Sequence, residues 1–292
     1  MIWVPSHFID KDLLMKNKNR IIRLQKKALE YRKHLIQLAH SHSFGVHIGG
    51  GLSLAEILTT LYFEVANLDS GNPDWKDRDR IILSKGHGNI GLLTILAMKG
   101  YFPFSEMQSF NQLESFYSMH ADAHILGVEH SAGSLGHGLS VAVGMALAAG
   151  LDQKDWNVYC ILGDGEIMEG SNWEALMSAS HFKLKKLTAI IDRNHLSQEG
   201  TTTETMGLEP LVKKIENFGW FVEEVDGHNI SELLQVFDAE PIGQPKMIIA
   251  NTIKGRGVES LANKTKSHFN HLDENQARLA LEDIEKELMS LQ

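Results

Sequence analysis

The fold of this chain is constrained most by one pattern, Gly163-Asp164-Gly165 followed after 28 intervening residues by Asn194. Asp164 closely follows the apolar run 158–162, and Asn194 follows a second apolar run at 187–191. Short continuous apolar runs of this kind are typical of buried parallel strands. An amphipathic segment that begins near Ser171 lies between them, so the pattern predicts a strand–helix–strand unit. The two polar residues then lie at the carboxyl ends of two strands, where open α/β sheets bind ligands.

The residue types at these two strand ends predict a magnesium site. A carboxylate, an amide and a backbone carbonyl offer oxygen ligands only, and Mg²⁺ is a hard cation that takes oxygen ligands and completes its octahedron with phosphate oxygens. The start of the following helix is also a favourable place for a diphosphate. The alternative, in which Asp164 and Asn194 merely terminate strands, is disfavoured by the Gly-Asp-Gly turn and by the spacing.

The composition narrows the class of protein and its partners. Of the 292 residues, 43% are hydrophobic and 22% charged, which provides ample material for a core. The net charge of −9 argues against nucleic acid or acidic lipid as a partner. The chain has no apolar run long enough to span a membrane, and residues 1–10 lack the pattern of a signal peptide. The lone cysteine, Cys160, excludes intrachain disulfides and favours a reducing cytoplasm.

Apolar periodicity predicts alternating helices and strands. Besides the unit above, helices are expected at about 10–39, 53–65, 90–98, 139–149, 208–217, 231–238 and 273–289, and strands at 81–83, 220–225 and 247–252. This alternation predicts an α/β fold, a parallel sheet flanked by helices on both faces. No linker-like segment interrupts it, so residues 1–292 are expected to form a single domain. Ser53 with Glu56, and Ser171 with Glu174, have capping-box spacing at two helix starts.

Gly-rich turns with embedded histidines and carboxylates recur at the predicted strand-to-helix joints. In chain order these motifs are Gly45-Val46-His47-Ile48-Gly49-Gly50, Leu83-Ser84-Lys85-Gly86-His87, Gly127-Val128-Glu129, Gly133-Ser134-Leu135-Gly136, Gly163-Asp164-Gly165-Glu166, Glu169-Gly170, Trp173-Glu174-Ala175, Val225-Asp226-Gly227-His228 and Thr252-Ile253-Lys254-Gly255-Arg256-Gly257-Val258. A single such turn is weak evidence, since it often only permits a tight bend. The ordered series resembles the N-terminal, diphosphate-binding half of transketolase, a thiamine diphosphate enzyme, over about residues 20–280.

The resemblance implies thiamine diphosphate and Mg²⁺ as cofactors, bound in a thiamine diphosphate-binding fold. Asp164 and Asn194 match the family's side-chain ligands to Mg²⁺, and the position of Leu196 matches the residue that ligates through its carbonyl. The resemblance also implies contacts to thiamine diphosphate from His87, Gly133, Leu135, Gly163, Asp164, Gly165, Glu166, Asn194 and His268.

Four residues match family positions that act on the substrate or on cofactor activation. His47, His120 and His268 match histidines that position substrate hydroxyls or transfer protons, which suits imidazole because its proton is exchangeable near neutral pH. Glu169 matches a glutamate that hydrogen-bonds across a subunit interface to the glutamate that activates the cofactor. His228, in an Asp-Gly-His turn, is expected instead to stabilise that turn.

The chain departs from the family pattern beside the predicted site. Ala121 follows His120 where family members usually have proline, and His137 stands where a glutamine is more usual. The segment from His120 to Gly127 is also one residue shorter than is usual. A change of that size next to a substrate points to an altered substrate preference.

The second half of a transketolase is not contained in this sequence. In the family, the activating glutamate and the sugar-phosphate-binding arginines lie in a pyrimidine-binding domain, and this sequence ends at Gln292. The expected partner is therefore a C-terminal-section (pyrimidine-domain) transketolase subunit. The expected assembly is a heterotetramer of two plus two chains with the cofactors at the interfaces.

The implied function is transfer of a two-carbon ketol unit from a ketose phosphate to an aldose phosphate, performed only with the partner subunit. One alternative is a subunit of another thiamine diphosphate enzyme, either deoxyxylulose-phosphate synthase or a decarboxylase or dehydrogenase. A second alternative is a non-catalytic, cofactor-binding scaffold subunit, against which the joint presence of His87, Asp164, Glu169 and Asn194 argues. The identities of the sugar donor and acceptor stay open, since much of the discriminating surface belongs to the partner.

Overall fold

In the described part of the protein, the core of the fold is a five-stranded sheet in which all neighbouring strands are parallel. The structure, a computed structural model, describes the backbone of residues 11–291 and the side chains of residues 15–291. The strands are β1 (Arg80–Leu83), β2 (Val158–Gly163), β3 (Leu187–Arg193), β4 (Phe221–Asp226) and β5 (Lys246–Asn251). They lie in the order β1-β2-β3-β5-β4, and every neighbouring pair is parallel. The two apolar runs at 158–162 and 187–191 are therefore adjacent strands inside the sheet, as predicted.

Helices of very different lengths surround this sheet. The α-helices are α1 (Lys11–Ser41), α2 (Ile48–Leu52), α3 (Ala55–Thr60), α4 (Asn89–Lys99), α5 (Gly138–Leu151), α6 (Gly170–His181), α7 (Thr202–Thr205), α8 (Leu211–Asn217), α9 (Ile230–Asp238) and α10 (Glu274–Ser290). A π-helical turn, Leu61–Val65, continues α3. Within residues 11–291, none of the helices is both long and apolar enough to cross a membrane.

The strand order explains why helices cover both faces of the sheet. The connections β2→β3 and β3→β4 move in one direction across the sheet, whereas β4→β5 moves back. Right-handed crossovers therefore place α6 and α8 on one face and α9 on the other. Leu176 of α6 and Ile215 of α8 lie in one apolar core with Leu162, while Leu233 of α9 lies in the other with Ile161. The predicted fold class is confirmed.

Most predicted elements lie within a few residues of the observed ones. The helix predicted at 139–149 is Gly138–Leu151, and the one predicted at 273–289 is Glu274–Ser290. The helix predicted at 10–39 is observed from residue 11 to residue 41, and residue 10 lies outside the described residues. The helix predicted at 53–65 begins two residues later, at Ala55.

The two predicted capping boxes are wrong, because both serine hydroxyls bond to partners far along the chain. Ser53 Oγ donates to Asp192 Oδ2 at 2.6 Å, and α3 begins without a side-chain cap. Ser171 Oγ donates to the carbonyl of Gly136 at 2.8 Å, and α6 also lacks a side-chain cap. Each serine therefore ties a helix start to residues around the pocket described below. A capping box does open α10, where Asp273 is the N-cap.

Candidate active site

A pocket of about 490 Å³ opens at the carboxyl ends of β2 and β3. Every residue predicted to bind the cofactor or the metal, or to act in catalysis, lines this one pocket. These are His47, His87, His120, Gly133, Leu135, Gly163, Asp164, Gly165, Glu166, Glu169, Asn194, Leu196 and His268. The pocket also contains two cationic side chains for which the sequence predicted no role, Lys85 and Lys254.

Asp164 is buried at the end of β2, and its carboxylate is held by backbone amides. Its Oδ1 accepts from the amide of Gly165 at 2.8 Å, and its Oδ2 accepts from the amide of His195 at 2.5 Å. Arg193 lies 3.3 Å from Oδ2. Burial raises the pKa of Asp164, the charge of Asp192 raises it further, and Arg193 and the amides oppose that rise. These partners fix the direction of both carboxylate oxygens.

Asn194 and Leu196 follow the end of β3, directly beside the Gly-Asp-Gly turn. Asn194 Oδ1 accepts from the amide of Leu196 at 3.2 Å, which orients the amide group. Lys254 Nζ donates to the carbonyls of Leu196 at 3.3 Å and Ser197 at 3.1 Å. The potential metal ligands at this end of the pocket are thus a carboxylate, an amide oxygen and a backbone carbonyl oxygen. This set fits Mg²⁺. Within residues 15–291 no group of three or more His, Cys, Asp and Glu side chains is arranged to hold a metal ion, so a metal here would need amide, carbonyl or ligand oxygens as well.

Glu166 joins three of the turns that line the pocket. Its Oε1 accepts from Ser84 Oγ at 2.5 Å and from the amide of Gly136 at 2.9 Å, while Oε2 accepts from the amide of Gly163 at 3.0 Å. The side chain is almost fully buried. At Gly133, in contrast, an added Cβ would have open space around it, so the backbone there is accessible to a ligand. Glu166 therefore holds the pocket-lining turns together, and Gly133 lies on the surface of the pocket.

Four histidine rings converge on the other side of the pocket. The ring centroid of His47 lies 5.9 Å from that of His87, 5.8 Å from His120 and 5.1 Å from His268. Burial lowers the pKa of His47 to about 4 and that of His268 to about 3, and the nearby charge of Lys254 contributes to both. Burial also lowers the pKa of His87. The three rings are therefore neutral at neutral pH, able to donate from one nitrogen and accept at the other.

A buried ion pair lies beneath the histidines, and sequence reasoning missed it. Lys85 Nζ contacts Asp192 Oδ2, and both side chains are at most 1% exposed. Asp192 also accepts from the hydroxyls of Ser53 and Thr252. Lys85 holds the pKa of Asp192 below its usual range against the opposing effect of burial. A lysine within a Gly-rich motif was the available signal, but nothing in the sequence connects it to Asp192.

A second buried network anchors the loop that carries Lys254. Arg32 donates to both carboxylate oxygens of Glu56, at 2.6 and 2.7 Å. Glu56 Oε2 lies 2.8 Å from His228 Nδ1, and the amide of Ile253 donates to His228 Nε2 at 2.8 Å. Because Nε2 accepts, Nδ1 carries the proton that bonds Glu56. His228 therefore has a structural role, as the sequence predicted, but it joins α3 to the 252–258 loop rather than closing its own turn alone.

The rim of the pocket leads directly into two helices. Glu169 is exposed and is the N-cap of α6, and half-buried Leu135 lies three residues before α5. His137, the N-cap of α5, is exposed and lies outside the pocket lining. The pocket is therefore bordered on this side by the starts of α5 and α6.

The family model described as "Transketolase, thiamine diphosphate binding domain" matches residues 25–284. The chain belongs to this family. It is 42% identical to the 6-deoxy-6-sulfo-D-fructose transketolase subunit SqwG of Clostridium sp. over 91% of this chain and 98% of that protein. It is 39% identical to one of the subunits of the apulose-4-phosphate transketolase of Actinobacillus succinogenes, over 90% of this chain and 96% of that protein. With human transketolase the identity is 36%, over 82% of this chain but 38% of the human protein.

Solved transketolase structures share the fold. The transketolase of Campylobacter jejuni superposes with a TM-score of 0.83 at 30% identity, over 90% of this chain and 43% of that one. For the transketolase of Leishmania mexicana, the TM-score is 0.76 at 27% identity, over 93% and 46%. The chain therefore spans less than half the length of these two solved transketolases. It is a transketolase-type enzyme subunit with a thiamine diphosphate-binding domain, as the sequence predicted.

Proposed function

We propose that this chain is the diphosphate-binding subunit of a split transketolase, which transfers a two-carbon ketol unit from a ketose phosphate to an aldose phosphate. The observation that carries the proposal is the single pocket in which the predicted ligands of Mg²⁺ face a cluster of neutral histidines. The match to nearly the full length of two transketolase subunits supports it. Cytoplasmic location belongs to the same proposal, since the chain has a single cysteine, the buried Cys160, and so uses no intrachain disulfide.

In this proposal the end of the pocket nearest the sheet holds Mg²⁺ and the diphosphate. Asp164, Asn194 and the carbonyl of Leu196 supply three oxygen ligands, and diphosphate oxygens complete the shell. The accessible backbone at Gly133 and Gly165 lets the diphosphate approach closely. Bound thiamine diphosphate supplies the nucleophilic carbon that breaks and forms the carbon–carbon bonds.

The histidines act on the sugar. The Nδ1 atoms of His47 and His268 are buried, and neither has a hydrogen-bond partner among the described residues. A buried polar atom without a partner is costly, so these two rings are held in place at the expense of stability, as is common for functional groups. Neutral imidazoles can pass a proton between sugar hydroxyls without first losing one to solvent. In this proposal His120, an exposed residue of the pocket lining, meets the sugar as it enters.

The partner subunit covers the exposed side of α5 and α6. We name this surface the α5–α6 face; it comprises Ser140, Gly144, Ala148, Leu151, Trp173, Met177 and Phe182. No residue of α5 is charged, yet the helix exposes Ser140, Gly144, Ala148 and Leu151. On and beside α6, Met177 is 53% and Phe182 54% exposed. A helix that is apolar on all sides is stable in water only when its outer side is covered.

Continuity with the pocket supports the pyrimidine-domain subunit as the occupant. Both helices start at the pocket rim, so a chain seated on the α5–α6 face reaches the pocket near Glu169. Glu169 is exposed there and can bond to that chain, which would bring the activating glutamate. Small residues at Ser140, Gly144 and Ala148 permit a close helix–helix approach. Two such pairs form the proposed heterotetramer of two plus two chains.

The names of the relatives define the substrates to test. The two subunit relatives are named for 6-deoxy-6-sulfo-D-fructose and for apulose 4-phosphate, both ketoses with an anionic group. Lys254 contributes a cationic side chain to the pocket lining, and an anionic group on the donor would be attracted to it. The departure at Ala121, directly after the pocket residue His120, favours a modified ketose as donor over the common pentose phosphates.

The decisive assay measures ketol transfer by this chain alone and with a C-terminal-section subunit, in the presence of thiamine diphosphate and Mg²⁺. Donors are xylulose 5-phosphate, 6-deoxy-6-sulfofructose and apulose 4-phosphate, with an aldose phosphate as acceptor. We expect turnover only in the mixture, its loss in Asp164→Asn, and its retention in Asp155→Asn, the same change at an exposed carboxylate. Turnover by this chain alone, or turnover with pyruvate as donor instead of these ketoses, would contradict the proposal.

The docking surface has its own test. Met177→Arg on α6 is expected to abolish association with the partner in sedimentation, while Leu279→Arg on α10, at 47% exposure, leaves it intact. Far-UV circular dichroism checks that both variants stay folded. Association that is unaffected by Met177→Arg, or lost equally in both variants, would place the partner elsewhere.

A further inference from the structure

His47 is held without the hydrogen bond that usually orients a functional histidine. A catalytic imidazole is normally fixed by a bond from its second nitrogen to a carbonyl or carboxylate. The Nδ1 atom of His47 is buried and has no such partner among the described residues. The orientation of its ring must therefore come from packing.

Phe269 supplies that packing from a neighbouring loop. Its ring meets the ring of His47 at 5.1 Å between centroids and at 75°, the edge-to-face geometry that aromatic pairs prefer. Phe269 is 46% exposed and does not itself line the pocket. It therefore lies between solvent and a ring whose other neighbours are pocket residues.

The backbone on both sides of this contact is fixed. Val46 and Asn270 form an antiparallel bridge with two hydrogen bonds, each of 2.9 Å between N and O. Gly45 has φ of +81°, and a Cβ added there would lie 2.9 Å from Phe269 Cε1. The Phe269 ring therefore occupies the space that a side chain at position 45 would need. The bridge fixes the backbone next to Phe269 relative to the backbone next to His47.

We propose that Phe269 is a positioning residue for His47, whose ring it holds toward the pocket and shields from water. This inference rests on the proposed substrate-facing role of His47. The groups that face His47 from the other elements are His87, His120, His268 and Lys254, all cationic when charged. Burial, His120 and Lys254 lower the pKa of His47, and replacing Phe269 removes none of these side chains.

The test is a pH titration of His47 in the full-length chain labelled with ¹³C-histidine, with its signal assigned from His47→Gln. Replacing Phe269 with alanine exposes His47 to water. The pKa of His47 should therefore rise by about one unit, from about 4 to about 5. Phe269→Leu, which keeps an apolar cover, should restore most of the wild-type value. Phe44→Ala is the matched control, because Phe44 lies in the same loop as His47 but is 87% exposed.

Gly45→Ala provides a second route to the same displacement, since its Cβ would lie 2.9 Å from the Phe269 ring and 3.2 Å from the Asn270 backbone, so that the ring and the bridge must both shift. It should raise the pKa of His47 in the same direction, with folding checked by thermal denaturation. An unchanged pKa in Phe269→Ala, to within about 0.2 unit, overturns the inference. So does an equal rise in Phe44→Ala, which would indicate general loosening of the loop.

Turnover in the assembled enzyme separates this inference from the proposed function. Phe269→Ala should lower kcat/KM by about fivefold, more through kcat than through KM, because it disorders a group that acts on bound substrate. If no ketose is turned over at all but His47 titrates as described, the proposed function fails and the positioning role stands. If turnover is normal and unaffected by Phe269→Ala, the positioning role is refuted and the function is not.

Discussion

Replacement of Glu56 by glutamine tests the buried network that anchors the Lys254 loop. Glu56 is 6% exposed and is bonded by both terminal nitrogens of Arg32 and by His228. Burial alone would raise its pKa, but the charge of Arg32 and the hydrogen bond of His228 lower it to about 2. The charged partners therefore outweigh the desolvation of the carboxylate.

The expected loss of stability follows from this pKa. A fall from the unfolded value of 4.5 to about 2 corresponds to about 3 kcal/mol in favour of the folded state at neutral pH. This agrees with the 3–5 kcal/mol that is typical, to order of magnitude, when one partner is removed from a buried ion pair. Because the folded pKa is the lower one, the contribution is complete above the unfolded pKa and is lost as the pH falls toward about 2.

Urea unfolding of wild type and Glu56→Gln at pH 7 and pH 4 measures both features. We expect a destabilisation of about 3 kcal/mol at pH 7, smaller by about 1 kcal/mol at pH 4. Glu64→Gln is the matched control, since Glu64 pairs with Arg20 and Arg23 at the surface and should contribute less than about 1 kcal/mol. A loss below about 1 kcal/mol in Glu56→Gln, or one that is independent of pH, would refute the reasoning.

Three further outcomes follow from the site and its surroundings. Asp164→Asn should weaken binding of Mn²⁺, used as a paramagnetic stand-in for Mg²⁺, by at least about tenfold in titrations followed by EPR, since the only carboxylate among the proposed ligands is lost. The low pKa values of His47 and His268, about 4 and about 3, mean that neither ring gains a proton above about pH 5. In the assembled enzyme, protonation of His47 should therefore lower kcat/KM only below about pH 5. A fall in kcat/KM near pH 6.5 that disappears in His47→Gln would contradict this, because it would show that the ring is not desolvated. Gly144→Ala should stabilise the isolated chain by about 0.5–1 kcal/mol in thermal unfolding, because alanine is the better helix former and its Cβ meets open space.

The sequence was sufficient to predict those parts of the site that depend on local pattern. The run 158–162 and the Gly-Asp-Gly turn show that a strand ends at the ligand-binding edge, and the strand pairing Gly163 with Asp192 places Asn194 beside it. Periodicity likewise located α5 and α10 to within two residues. Strand ends and helix lengths follow from neighbours in sequence, so they can be inferred from one sequence.

Features that depend on distant partners could not be predicted in the same way. Ser53 has the local pattern of a helix cap, but its hydroxyl bonds Asp192, 139 residues away, because a buried carboxylate needs every donor within reach. Lys85 and Asp192 are 107 residues apart, and no spacing rule relates them. Phe269 gives no signal at all in the sequence, since its importance comes only from the ring that it touches. These contacts are set by the packing of loops against one another.

The charge arrangement below the pocket is compatible with both of its proposed ligands, a diphosphate and a sugar that exchanges protons. Lys85 is neutralised by Asp192, so its charge holds the floor of the pocket together instead of competing for a ligand. Lys254 is a cation that faces the proposed metal site, and burial together with Lys85 lowers its pKa to about 8. Below that pH it carries a charge that attracts phosphate oxygens and adds to the effect of burial in lowering the pKa values of His47 and His268. The same lysine therefore favours anion binding on one side and unprotonated imidazoles, free to accept a proton, on the other.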